Sequence, residues 1–196
     1  MGHGITLKAE ASMNQHPVWR RLRWLVWGGA AGLLMLPAIA MRFTSEVDWN
    51  ALDFVVMGVM LGLVCASYEV AVRVARSHTY VLAAGLAVGT AFVTTWINLA
   101  VGIVGVEGNP VNVLFFAVLA IGLIGVLISR LEAGSLARAM LVTAGAQGLL
   151  AAYVLMLGDL RGFTLTLFLI APWLLSARLF AKAAGDEAAA TPTALG

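Results

Sequence analysis

The chain has 196 residues, of which 61% are hydrophobic and only 11% charged. Soluble domains carry roughly 25% charged residues, so a water-soluble core of this length could not hide so much apolar surface, and a single domain embedded in lipid is expected. A net charge of +2 gives nucleic-acid binding no electrostatic basis, and a lone cysteine, Cys65, excludes an intrachain disulfide and a cysteine-cluster metal site.

Six segments read as spans, against the roughly 20 apolar residues that cross a hydrocarbon core about 30 Å thick. Residues 1–20 read as a disordered cytoplasmic tail. The first span is uncharged from Trp24 to Met41. Its basic flank, its apolar run and Pro37-Ala38-Ile39-Ala40 also fit a signal peptide with an A-x-A site; the retained span is the reading adopted. The second span runs from Ala51 to Val74, with Asp48 or Asn50 as its cap. Cys65 lies inside it and reads as a small packing residue. Glu69 precedes Arg73 by four residues, the favourable order for an ion pair on one helix face. The alternative for Glu69 is a proton-binding carboxylate facing the bundle interior.

The third span is uncharged from Ser77 to Val106, enough for a tilted helix and its flanks. The fourth runs from Pro110 to Ser129, with Asn109-Pro110 as cap and first helical residue. Gly134 and Ser135 are expected to break it from the fifth, which is uncharged from Ala139 to Gly158. Gln147 in the fifth is expected to hydrogen-bond across helices. Gly158-Asp159-Leu160-Arg161-Gly162 reads as a tight turn into the sixth, uncharged from Gly162 to Ala177. Residues 185–196 read as a second cytoplasmic tail, leaving 21–184 as an all-α transmembrane bundle of about six helices with short loops.

Orientation follows from Lys and Arg. Lys8, Arg20, Arg21, Arg23, Arg73, Arg76, Arg130, Arg138, Arg178 and Lys182 fall on one side of the six-span arrangement. Only Arg42 and Arg161 fall on the other. Five or seven spans would spoil this split. Both termini are therefore expected in the cytoplasm, with the carboxylates Glu46, Asp48, Asp53, Glu107 and Asp159 on the outer face.

That face holds the candidate site. In one reading Asp53, Trp96, Asn98, Glu107, Asn112 and Arg161 line an outward-facing polar pocket for a small cation, a polar solute or a periplasmic protein partner. In the other they are caps, anchors and glue, with Asp53 paired to Arg161 and Asn98 bonded to a neighbouring helix. Both readings stand at this point. Gly58-Val59-Met60-Leu61-Gly62 and Gly85-Leu86-Ala87-Val88-Gly89 are GxxxG strings that permit close helix approach. Packing within the monomer is preferred over an oligomer through these glycine faces.

The strings Glu46-Val47-Asp48-Trp49…Asp53-Phe54 and Asn98-Leu99-Ala100-Val101-Gly102…Asn109-Pro110-Val111-Asn112 resemble those of small bacterial inner-membrane proteins. The resemblance implies a polytopic inner-membrane fold and location, and it implies no activity.

Three histidines lie in the tail or a loop, no lysine lies in a span, and neither a Walker A string nor a nucleophile elbow occurs. Bis-histidine haem and His-carboxylate metal sites are not expected. No cofactor and no catalytic residue is expected. Three function classes remain: a transporter or channel for a small solute or ion, an accessory membrane subunit binding a membrane or periplasmic partner, and, last because the usual catalytic groups are absent, a membrane enzyme.

Overall fold

A helix satisfies its backbone hydrogen bonds within its own segment, which is the condition for crossing lipid. The computed structural model describes residues 17–106 and 108–190, and among them every regular element is helical. The helices are α1 (Pro17–Ala40), α2 (Ala51–Val74), α3 (His78–Ala100), α4 (Val113–Ile128), α5 (Ala133–Met156) and α6 (Leu160–Ala190), with a 3₁₀ turn over Pro110–Asn112 leading into α4. Six helical segments are long and apolar enough to span a membrane. The protein is a multi-pass integral membrane protein, as its composition indicates.

The chain divides into two units between Arg76 and Ser77. In the first, α1 packs along α2. Asn50 caps α2 with a full capping box: its side chain accepts from the Leu52 and Asp53 N–H groups, while the Asp53 carboxylate accepts from the Asn50 N–H at 2.8 Å. At the other end of the pair Glu69 accepts from both Arg23 and Arg73. The i,i+4 pairing expected from the sequence is present, and α1 adds a second arginine to it.

In the second unit α6 packs against both α5 and α3, and α4 packs on α5. At one end Tyr80 donates to the Leu131 carbonyl at 2.9 Å and meets Phe180 edge to face, tying α3 to the α4–α5 turn and to α6. Deeper, Ser176 donates across to the Ala83 carbonyl at 2.8 Å. At the opposite end an apolar core joins Phe115 and Val118 of α4, Leu150 and Val154 of α5, and Leu169 of α6. Two loop residues, Ile103 and Val104, complete that core.

Several boundaries differ from the sequence reading. The third helix stops at Ala100, because Gly102 and Gly105 take φ of +72° and +65° and turn the chain back over the unit. Gly134 and Ser135 lie inside α5; the break comes earlier, where Arg130 and Leu131 adopt φ of 49° and 64°. Ser129 supports that strained turn by accepting from the Leu131 N–H. The last helix continues to Ala190, through Gly185 and Asp186 into Glu187 and three alanines, the strongest helix formers. At the other end the first helix begins at Pro17, so residues 17–20 of the expected tail are helical; residues 1–16 and 191–196 lie outside the described residues.

Close helix approach also uses glycines other than those in the GxxxG strings. A Cβ at Gly125 would meet the Ala139 Cβ at 2.8 Å, and one at Gly122 would meet Thr143 Oγ1 at 3.1 Å, so these two seat α4 on α5. Gly58 meets only Leu34 at 3.9 Å, and Gly62, Gly85 and Gly89 meet nothing within 4 Å in their own units.

Candidate functional site

The α3–α4 connection is short of helix but dense in hydrogen bonds. Asn112 organises it. Its Oδ1 accepts from the N–H groups of Ile103 (3.2 Å) and Val104 (2.9 Å), and its Nδ2 donates to the carbonyls of Val104 (3.3 Å) and Val106 (2.9 Å). Only a primary amide supplies two acceptor and two donor directions at once. Asn98, buried near the end of α3, donates from Nδ2 to the Asn112 carbonyl at 2.8 Å. The loop is thus folded around one side chain and tied to α3 by another. Asn109 caps the 3₁₀ turn by accepting from the Val111 N–H at 3.0 Å, with Pro110 following as expected.

Asp159 fastens this loop from the far side. Its Oδ1 accepts from the Gly162 N–H at 2.8 Å, which caps α6, and its Oδ2 accepts from the Gly105 N–H at 3.0 Å. The carboxyl is held below the usual carboxylate range. The Gly162 N–H is the largest cause, partial burial opposes it, and the Gly105 and Arg161 N–H groups and the Arg161 guanidinium add to the lowering. No side chain fits at Gly162, where a Cβ would lie 2.7 Å from Asp159 Oδ2 and 3.1 Å from the Ile103 carbonyl.

The expected site residues fall into groups. Asn98 and Asn112 are together. Arg161 is exposed at the start of α6, beside Asp159, not in the connecting turn where the sequence reading put it. Trp96 is half-buried on α3 and stacks edge to face on Phe92. Asp53 belongs to the first unit, where its carboxylate serves the capping box. Glu107 lies outside the described residues.

Below the loop, the interior of the second unit holds polar atoms that the sequence reading underweighted. Gln147 is fully buried on α5, and neither its Oε1 nor its Nε2 has a hydrogen-bond partner among the described residues. The cross-helix bond expected of it does not form among the described residues. Thr94 Oγ1 and Asn98 Oδ1 on α3 and Trp173 Nε1 on α6 are likewise buried without partners. The other buried hydroxyls are satisfied: Thr90, Thr143 and Thr166 each donate to the carbonyl four residues earlier. The available signal was Thr90, Thr94 and Asn98 at i, i+4 and i+8, which share one helix face. Trp173 gave no signal apart from its polar N–H within an apolar run.

Among the described residues no group of three or more His, Cys, Asp or Glu side chains could hold a metal ion. Comparison with protein-family models, with curated proteins and with solved structures gives no match.

Proposed function

We propose that the protein is a bacterial inner-membrane transporter or channel for a small solute or ion, entered from an outward-facing polar site. The observation that carries this is the set of five buried, unpartnered polar atoms on Thr94, Asn98, Gln147 and Trp173 of the second unit. Leaving one buried donor or acceptor unmet costs about 1–3 kcal/mol in a protein, and lipid offers no replacement. Such a set on three helices of one unit is accounted for when something polar visits them. Trp96, Asn98, Asn112 and Arg161 of the second unit would then form the outer approach, with both termini cytoplasmic as the charge split requires.

The test is flux in proteoliposomes over a panel of small solutes and ions. Asn98→Ala and Arg161→Gln should change uptake while the protein remains folded. If both only lower the melting temperature, the outer residues are structural and the pocket is withdrawn.

A second reading, an accessory subunit, is favoured by one observation on α1. Its span window is only 6% buried, and Gly28, Gly29 and Gly32 have nothing within 4 Å of where a Cβ would stand. A membrane protein partner, or a second copy, seated there would co-purify in mild detergent. Solitary elution of the monomer across several detergents would count against this reading.

A further inference from the structure

We propose that the interior of the second unit is a path for a small uncharged solute that both donates and accepts hydrogen bonds, entered from the end carrying the Asn112 loop. This deepens the transport reading and rests on it.

The first argument is charge. Every buried polar side chain in this unit is neutral: threonine, serine, asparagine or glutamine, with the indole of Trp173. Among the described residues of the unit, each charged side chain is exposed or only half-buried. An ion moved into such an interior loses its hydration without gaining a counter-charge. Neutral carbonyl rings can carry cations, but they do so by concentrating acceptors alone. Here acceptors and donors are mixed. Asn98 Oδ1 and Gln147 Oε1 accept, while Gln147 Nε2 and Trp173 Nε1 donate, and Thr94 Oγ1 can do either. Such a mixture disfavours either sign of charge and suits a molecule with both kinds of group.

The second argument is depth. At 1.5 Å per residue, Asn98 lies roughly 3 Å from the loop end of α3 and Thr94 roughly 9 Å. Gln147 lies roughly 13 Å below the loop end of α5, and Trp173 roughly 20 Å below that of α6. Those three helix ends converge, because Asp159 links the α5–α6 turn to Gly105 of the α3–α4 loop. The unpartnered groups therefore lie at depths from roughly 3 Å to roughly 20 Å below the loop end, beyond the middle of a bilayer about 30 Å thick. A solute handed from one station to the next would need groups spread over depth in this way.

Urea and glycerol are suitable probes, read by stopped-flow light scattering of proteoliposomes holding the full chain. Potassium, chloride and proton leaks are measured on the same vesicles. Urea or glycerol permeability is expected at least fivefold above protein-free vesicles, without added ion leak. Gln147→Leu should bring it to within twofold of the protein-free value, and Thr94→Val should reduce it, with melting temperatures unchanged or higher. Ion flux without neutral-solute flux would overturn this solute class and leave the transport reading standing. Absence of both fluxes from folded protein would remove the transport reading as well. Neutral flux that survives Gln147→Leu and Thr94→Val would overturn the path.

Discussion

Three side chains decide how the loop end of the second unit is held. Asn112 satisfies four backbone groups of Ile103, Val104 and Val106. Asn112→Ala strands them and should cost about 3 kcal/mol or more. Asn112→Asp, although nearly isosteric, should cost almost as much, since a carboxylate cannot donate to the Val104 and Val106 carbonyls. Thermal unfolding in detergent micelles checks both, against the milder Asn98→Ala, which loses one bond. Asp159→Ala removes a helix cap and a loop tie together, and should cost about 1–2 kcal/mol. Its pH dependence has a definite sign. The folded-state carboxyl is depressed, so its contribution is full above the ordinary value of about 3.9 and is lost as pH falls through the lower folded value. The gap in melting temperature between wild type and Asp159→Ala should therefore be constant from pH 7 to 5 and close in more acidic buffer.

Among the elements, the packing of α4 on α5 turns on glycines with no room for a methyl. Gly125→Ala would meet Ala139 and should destabilise by about 1–3 kcal/mol. Gly145→Ala, which has nothing within 4 Å, should be neutral or stabilising by up to about 1 kcal/mol. Parallel melts of the two variants test that contrast. The helices themselves were legible because lipid imposes one requirement on every residue of a span, and the second span matches its helix from Ala51 to Val74. The α3–α4 connection was not. An uncharged run through Val106 carries no mark of where helix gives way to loop, since Ile103 and Val104 are as apolar as the span before them and are buried for the same reason. Nor could apolarity separate Gly125, which is needed, from Gly62, which meets nothing within 4 Å in its own unit. Asn98 and Asn112 were legible as polar residues out of place, but their mutual bond spans 14 positions and has no periodic signature.

For the whole molecule, the proposed orientation makes a direct prediction. In a Cys65→Ala background, cysteines at Phe43, Val106 and Leu157, all exposed, should react with an impermeant maleimide added to intact cells. Cysteines at Arg76 and Arg130 should react only after the membrane is opened. Labelling of the second set from outside would invert the topology and with it the side from which any solute enters. It would leave untouched the six spans and the uncharged interior of the second unit.

If the proposed path is entered at this loop, the burial of Ile103 and Val104 sets a duty cycle. Each contributes about 1.5–3 kcal/mol when withdrawn from water, so swinging both outward leaves the entrance clear for roughly one part in 10² to 10⁴ of the time. Throughput would then be governed by how often two side chains lift, and the chemistry of the stations beneath would matter only in that interval. Ile103→Ala should raise solute flux about tenfold in proteoliposomes while lowering the melting temperature, an exchange of stability for traffic at one position.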